Sequence, residues 1–251
     1  MRPFDELVRE AAAVSVDGWD FSWLDGRATE ERPPWGYGQL LAQRWASVTA
    51  ALDLQTGGGE VLAGLSSYPP VAAATEGWPP NIALATTLLH PLGVVVVAHD
   101  GAAPLPFAAD SFDLVTSRHP VAANWPEVAR VVRPRGTYLA QHVGPESMFS
   151  LIEEFSGRLP DESYRGRHPE DACAAAETAG LEVVDVRTAR LRVEYFDIGA
   201  IVYVLRKVIW WVPGFTVETY DEPLRRLDEH MRRTGPFVAH SSRFLIEARA
   251  R

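Results

Sequence analysis

Short hydrophobic runs, separated by amphipathic or alanine-rich segments, recur along the chain from residue 50 onward. They are rich in Ala, Val and Leu with few polar interruptions, which is typical of strands buried on both faces. This pattern predicts seven strands, at Ala51–Leu54, Val71–Thr75, Val94–Ala98, Phe112–Ser117, Thr137–His142, Leu181–Arg190 and Phe237–Arg249.

The segments between the strands predict five helices, near residues 58–66, 79–89, 124–132, 146–157 and 169–179. Pro79 and Pro169 stand where the first turn of a helix tolerates proline. Gly180 follows the alanine-rich helix at the place where a left-handed residue commonly ends one.

Strands that alternate with helices predict βαβ units with right-handed crossovers. We therefore expect an α/β fold with a doubly wound, mainly parallel seven-stranded sheet in a single domain, 1–251. Two aromatic-rich segments decorate it: an N-terminal cap over residues 1–45 and a helical lid insertion over residues 191–235, before the last strand.

The longest apolar stretch, residues 198–212, lies in the lid insertion. It is shorter than the roughly 20 residues that a membrane-spanning helix needs, and it carries Arg206 and Lys207 in its middle. We expect a buried or lid helix here and no membrane partner.

Charge narrows the classes of partner. Lys and Arg number 24 against 33 Asp and Glu, a formal net charge of −9, so the chain has no overall positive field to draw it onto nucleic acid. Cys173, the single cysteine, excludes an intramolecular disulfide and a cysteine-rich zinc site. The amino terminus turns acidic at once and lacks the apolar run of a secretory signal, so we expect a cytoplasmic protein.

Candidate chemistry gathers at the predicted strand ends, because ligands of open parallel sheets bind beyond the carboxyl ends of the strands. A glycine-rich loop follows the first strand, Glu76 follows the second, Asp100 and Gly101 follow the third, and Ser117, Arg118 and His119 follow the fourth. A nicotinamide fingerprint would need glycine where Leu62 stands, and a phosphate-binding P-loop would need a lysine that is absent before Lys207.

Five spaced blocks in the correct order resemble the motifs of the class I S-adenosylmethionine-dependent methyltransferases. The blocks are Asp53-x-Gln55-x-Gly57-x-Gly59, Glu76, residues 100–107, residues 110–115 and residues 127–137. The resemblance covers residues 51–142 and implies a Rossmann-like methyltransferase fold. The family usually has glycine where this chain has Gln55, and often where Arg135 stands.

The resemblance also implies roles for individual residues. The loop from Asp53 to Gly59 would pack under the methionine end of S-adenosylmethionine, Glu76 would hold the ribose hydroxyls, and Asp100 would accept a hydrogen bond from the adenine amino group. Gln55 would contact the methionine carboxylate or amine. The whole predicted cofactor set is Asp53, Gln55, Thr56, Gly57, Gly59, Glu76, Asp100, Gly101, Ala102 and Ser117.

Methyl transfer needs a base only if the acceptor arrives protonated. A catalytic base is therefore harder to identify from the sequence than the cofactor-binding residues. His119, directly past the fourth strand, is the best-placed candidate general base, since an imidazole there could titrate near neutrality. His142, at the end of the fifth strand, is the weaker candidate. Each has an equally good structural interpretation. No pair of residues shows metal-ligand spacing, so we expect no metal.

Aromatic residues of the two decorations suggest a water-poor pocket for a small acceptor. Arg118 could bind an acidic substrate group or pair with an acid of the lid. The predicted substrate-binding set is Trp35, Tyr37, Arg118, Tyr195 and Trp210.

These features together predict an S-adenosylmethionine-dependent methyltransferase that acts on a small molecule, with O- or N-methylation of a secondary metabolite as the working hypothesis. It would act as a monomer or homodimer. Two alternatives stay open: an RNA methyltransferase, which the negative charge disfavours, and a non-catalytic S-adenosylmethionine-binding regulatory protein.

Overall fold

A computed structural model describes residues 2–16, 18–101 and 103–251. The predicted Ala102 contact therefore lies outside the described residues. The elements in chain order are α1 Phe4–Ala13, β1 Ala28–Glu30, α2 Tyr37–Trp45, β2 Ala50–Leu54, α3 Glu60–Ala63, β3 Val71–Glu76, α4 Pro79–Leu89, β4 Val95–Ala98, β5 Phe112–Arg118, α5 Trp125–Val131, β6 Val132–Val143, α6 Phe149–Ser156, α7 Asp161–Tyr164, α8 Pro169–Thr178, β7 Leu181–Tyr195, α9 Ile198–Lys207, α10 Asp221–Thr234 and β8 Phe237–Ala250. Two short 3₁₀ turns occupy Ser22–Leu24 and His90–Leu92.

The strands of the described chain form a single eight-stranded sheet in the order β1-β7-β8-β6-β5-β2-β3-β4. The pairs from β6 through β4 are parallel, whereas β6 with β8 and β1 with β7 are antiparallel. The mainly parallel α/β fold is confirmed. The count of seven strands was wrong, because β1 is only three residues long and pairs at an edge without any hydrophobic alternation to reveal it.

The chain divides into two compact units. The first comprises Met1–Arg32, Glu146–Gly166 and Arg190–Ser242, and the second comprises Pro33–Pro145, Arg167–Ala189 and Arg243–Arg251. Residues 33–45 of the predicted cap thus belong to the second unit, together with the central strands. The capping role of residues 1–45 and the lid role of residues 191–235 stay predictions.

The second unit has apolar layers on both faces of its strands. In β2, Leu52 lies in a cluster that includes residues of α5 and α8, whereas Ala51 lies in a cluster that includes residues of α2, α3 and α4. All five residues of β2 are buried. This is the doubly wound arrangement expected of strands without polar alternation.

The first unit has a core of its own, centred on α9. Asp197 begins this helix by accepting a hydrogen bond from the Ala200 N–H at 2.9 Å, and nearly every residue of the helix is buried. Arg206 donates to the Ala11 and Val14 carbonyls, which satisfies its charge beside the apolar core. The prediction that residues 198–212 contain a buried helix is confirmed. No helix in the described parts of the chain combines the length and apolarity needed to span a membrane.

Candidate functional site

Register within the second unit brings the carboxyl ends of five parallel strands, β2 to β6, to one edge of the sheet. Leu54 pairs with Ser117, Arg118 with Gln141, and Glu76 with Ala98. The residues that directly follow these strands are therefore neighbours in space. They include the residues that the sequence analysis identified as candidates for cofactor binding and catalysis.

The glycine loop turns tightly after β2. Gly57 and Gly59 have φ angles of 67° and 88°, in the left-handed region that glycine occupies without strain. A Cβ on Gly59 would lie 3.0 Å from the Leu89 side chain, so the loop also packs closely on α4. The Thr56 N–H donates to the Thr75 carbonyl at 2.9 Å, which fixes the loop to the end of β3.

Glu76 joins the glycine loop to the beginning of α4. Its carboxylate accepts hydrogen bonds from the Gly57 N–H at 2.8 Å and from the Trp78 N–H at 2.9 Å, one on each oxygen. The residue is buried. Because two carboxylate oxygens have about four acceptor positions, lone pairs are left for two further donors.

Asp100 lies beside Glu76 because the His99 N–H donates to the Glu76 carbonyl at 2.8 Å. The Gly101 N–H in turn donates to His99 Nδ1 at 3.0 Å, and Gly101 has a φ of 83°. A Cβ on Gly77 would lie 3.0 Å from the Asp100 Cα atom. A side chain at Gly77 would therefore require these two segments to move apart by a few tenths of an ångström.

Gln55, at a φ of 55°, uses its side chain to bridge two loops. Its Nε2 donates to the Ala122 carbonyl at 2.8 Å, and its Oε1 accepts from the Val121 N–H at 2.7 Å. The amide thus ties the glycine loop to the segment that follows β5. The expectation that it contacts the methionine end of a cofactor has no support in this geometry, since each end of the amide is engaged by backbone.

Asp53, at the end of β2, is a buried carboxyl group. Burial raises its pKa to about 6, against the opposing effect of the Thr116 hydroxyl, which donates to Asp53 Oδ1 at 2.6 Å. Its negative charge also helps burial to raise the pKa of Tyr37 above the usual value. The carboxyl group belongs to the interior of the sheet end.

Polar contacts hold Ser117, Tyr37 and Trp35 in the interior of the second unit. The Ser117 hydroxyl donates to the Leu54 carbonyl at 2.8 Å, and the Tyr37 hydroxyl donates to the Ser117 carbonyl at 2.9 Å. Trp35 Nε1 donates to Gln141 Oε1 at 2.8 Å. Both aromatic residues are buried, so each has a defined structural partner in addition to its predicted role toward a substrate.

His119, at a φ of 57°, turns the chain directly after β5. Its backbone N–H donates to the Gln141 carbonyl at 2.6 Å, and its ring Nε2 lies 2.9 Å from Gln141 Nε2. Burial, with help from the positive charges of Arg118 and Arg243, lowers the pKa of His119 to about 2. The expected titration near neutrality is therefore corrected: the ring is neutral throughout the physiological range.

His142 is held between two aromatic rings. Its ring stacks on Phe244 at a centroid distance of 4.7 Å and on Trp125 at 6.2 Å, and its Nε2 lies 3.4 Å from the Tyr138 hydroxyl. Burial lowers the pKa of His142 to about 4. The geometry gives this histidine a packing role, and its catalytic role stays a prediction.

The remaining predicted substrate residues differ in setting. Arg118 is exposed and makes no ion pair within the described ranges of the chain. In the first unit, Tyr195 is buried in the core, and Trp210 is exposed with its ring 5.6 Å from that of Trp19. Among residues 2–16, 18–101 and 103–251, no group of three or more His, Cys, Asp or Glu side chains could hold a metal ion.

An open parallel sheet with a glycine loop and two acids at its strand ends is typical of α/β proteins that bind a nucleoside cofactor. Comparison with known families makes this class more specific. Residues 52–140 match the family model of a methyltransferase domain. This match supports a class I S-adenosylmethionine-dependent methyltransferase.

Solved structures share the fold at low sequence identity. A protein of Bacillus halodurans C-125 assigned as a methyltransferase has a TM-score of 0.60 and 19% identity, covering 84% of this chain and 97% of its own. The YcgJ protein of Bacillus subtilis has a TM-score of 0.58 and 19% identity, covering 85% and 97%. A phosphoethanolamine N-methyltransferase of Haemonchus contortus in complex with S-adenosyl-L-methionine has a TM-score of 0.54 and 17% identity, covering all of this chain and 60% of its own. No curated protein matches the chain significantly.

Gln141 and Thr116 are residues of the site that the sequence analysis missed. Gln141 bonds both Trp35 and His119, and Thr116 bonds Asp53. Each lies inside a predicted strand, where a polar residue in a hydrophobic run was the available signal. A buried polar residue needs hydrogen-bond partners, but only the fold shows which ones.

Proposed function

We propose that this protein transfers the methyl group of S-adenosylmethionine to an oxygen or nitrogen atom of a small molecule. The observation that carries the proposal is the juxtaposition of Glu76, the glycine loop and Asp100 at adjacent strand ends. When bound, the cofactor supplies a methyl group already activated by a sulfonium.

The residues at the strand ends fit that cofactor. Glu76 keeps acceptor positions for a pair of ribose hydroxyls after its two backbone hydrogen bonds. Asp100 and Gly101 would flank the adenine, and Gly77 places no side chain where its backbone lies against that of Asp100. Asp53, Thr56, Gly57, Gly59 and Ser117 would shape the methionine end.

The protein's own contribution to such a reaction is alignment and exclusion of water, because the leaving group needs no protonation. The neutral His119 and the cation Arg118 lie where β5 ends, one strand from the glycine loop. A general-base role for His119 would need a lone pair that its contact with Gln141 already engages. We therefore favour acceptors that arrive deprotonated or that lose their proton to solvent.

The net charge of −9 supports a small-molecule acceptor over RNA, since an acidic chain repels phosphate backbones. The assay that separates these acceptors supplies labelled S-adenosylmethionine with either a panel of small phenols, amines and carboxylic acids or total RNA. We expect label in the small-molecule fraction only. Label in RNA would overturn the acceptor class, and saturable cofactor binding without any transfer would point to a regulatory protein.

A further inference from the structure

His119 stands at one end of a three-residue hydrogen-bond chain that begins at an indole. Trp35 Nε1 donates to Gln141 Oε1 at 2.8 Å, and Gln141 Nε2 lies 2.9 Å from His119 Nε2. Trp35 and Gln141 are buried, and all three residues belong to the second unit. This series of hydrogen bonds therefore reaches from the interior to the strand-end site.

The direction of each hydrogen bond follows from the indole. An indole N–H is a donor only, so the Gln141 atom that faces Trp35 must be its amide oxygen. The NH₂ group of Gln141 then faces His119 and donates to its Nε2. A ring nitrogen that accepts a hydrogen bond cannot carry a proton, so the proton of the neutral ring resides on Nδ1.

The Nδ1 side of the ring is available to a ligand. Within the described chain, His119 Nδ1 makes no hydrogen bond. The atom is also not fully buried. The N–H of a fixed tautomer thus reaches accessible surface. Among the described residues, this donor has no acceptor.

Charges around this N–H favour an anion. Arg118 on β5 is exposed, and Arg118, Arg243 of β8 and His142 of β6 are all near enough to help lower the pKa of His119. No acid contributes to that electrostatic balance. A donor in a positive environment is suited to a carboxylate.

We propose that Trp35 and Gln141 are positioning residues that hold His119 as its neutral Nδ1–H tautomer, and that this N–H binds a ligand carboxylate beside Arg118. The carboxylate belongs either to the amino-acid end of the cofactor or to an acidic methyl acceptor. The ligand half of this proposal rests on the proposed function, whereas the tautomer half concerns the ligand-free protein.

The tautomer is measured by long-range ¹H–¹⁵N correlation on protein labelled in its seven histidines, with the His119 signals identified by their loss in His119→Asn. We expect one Nδ1–H tautomer that does not titrate between pH 5 and 8. An Nε2–H tautomer, or a midpoint near pH 6.5, would overturn the proposal.

Two variants test whether Gln141 and Trp35 set the tautomer. In Gln141→Glu, a carboxylate replaces the NH₂ donor, so His119 should bind a proton at Nε2 and titrate within the range from pH 5 to 8. In Trp35→Phe, the Gln141 amide is free to turn, and the Nε2–H tautomer should become populated. Thermal unfolding identifies a variant that fails to fold, and an unchanged Nδ1–H tautomer in whichever variant folds would contradict the positioning role.

A matched pair at His119 tests the donor itself. Asn and Asp have nearly the same shape and both tolerate the left-handed backbone found here, but only Asn offers an N–H. The affinity of each variant is measured for whichever carboxylate ligand, described below, shifts the His119 signal. We expect the affinity of His119→Asn to lie within about threefold of that of the native protein, and that of His119→Asp to be at least about tenfold weaker. Equal affinities would refute the donor role.

The probes are S-adenosylhomocysteine, its decarboxylated analogue, and benzoate in the presence of saturating S-adenosylhomocysteine. A shift of the His119 Nδ1–H signal with S-adenosylhomocysteine but not with the decarboxylated analogue assigns the carboxylate to the cofactor. A shift with benzoate alone assigns it to the acceptor. Binding of S-adenosylhomocysteine with no shift from any probe overturns the carboxylate site, whereas no binding of S-adenosylhomocysteine contradicts the proposed function and leaves the tautomer result standing.

Discussion

Gln55 and Arg135 occupy left-handed backbone, with φ angles of 55° and 66°, at positions where the family commonly has glycine. A non-glycine residue in this region costs on the order of 1 kcal/mol. Within the described chain, Arg135 is exposed and makes no hydrogen bond or ion pair that would offset this cost, whereas Gln55 makes two hydrogen bonds to the backbone of Val121 and Ala122. The backbone strain at Gln55 is thus offset by hydrogen bonds, whereas the strain at Arg135 is not.

Glycine substitution at these two positions should therefore have opposite effects. We expect Arg135→Gly to raise the free energy of unfolding by roughly 0.5–1 kcal/mol because it relieves strain at little other cost. Gln55→Gly should leave it unchanged or lower it by about 1 kcal/mol, since two hydrogen bonds are lost. Urea unfolding measures both, and a stabilised Gln55→Gly variant would show that its bridge contributes nothing.

Asp53 links stability to pH. Its folded pKa of about 6 exceeds the ordinary value of 3.8, so the folded state binds more protons than the unfolded state between these values. The contribution of Asp53 to the free energy of unfolding is therefore present in full below about pH 4, and it is lost as the pH rises through 6. The loss is about 3 kcal/mol for a shift of this size.

Asp53→Asn removes this dependence while keeping an acceptor for the Thr116 hydroxyl. We expect the free energy of unfolding of the variant, relative to the native protein, to rise by about 2–3 kcal/mol from pH 4 to pH 7. The measurement is denaturant unfolding at a series of pH values. A difference that stays constant with pH would show that Asp53 titrates normally.

At the scale of elements, α5 fixes the segment that follows Asp100. Arg130 donates to the Leu105 and Phe107 carbonyls at 2.9 and 2.8 Å, and Glu127 accepts from the Leu105 N–H at 2.6 Å. The two side chains also form an ion pair. A helix on one face of the sheet thereby holds the loop that would flank the adenine.

Arg130→Leu should lower the free energy of unfolding by about 1–2 kcal/mol, because two carbonyls and Glu127 lose a charged donor. Amide hydrogen exchange at residues 103–108 should accelerate. Arg133→Leu is the matched control, since Arg133 bonds Asp113 and the Asp110 carbonyl instead. Equal exchange at residues 103–108 in both variants would disprove the role of Arg130.

β2 and β5 could be predicted because their residues form buried apolar runs, and the helix at Pro79–Leu89 could be predicted because proline stands in its first turn. The short β1 could not, since three residues contain no periodicity. Contacts such as Gln55 with Val121, 66 residues apart, arise from strand register and have no local signature. The sequence therefore predicts which residues follow the strands better than it predicts what they bond.

For the whole molecule, the net negative charge and the two acids at the strand ends affect different steps of function. The net charge of −9 bears on which acceptor approaches, whereas Glu76 is fixed by the backbone of the glycine loop and Asp100 by the backbone of its own loop. The central claim is that these two residues bind the methyl donor. It stands apart from the identity of the acceptor.

Calorimetric titration with S-adenosylhomocysteine tests that claim most directly. The native protein should bind one equivalent, and Glu76→Ala combined with Asp100→Ala should abolish detectable binding, while the control pair Glu170→Ala and Asp171→Ala, two exposed acids at the start of α8, binds as the native protein does. Unchanged affinity in the folded Glu76/Asp100 variant would contradict the assignment of the site.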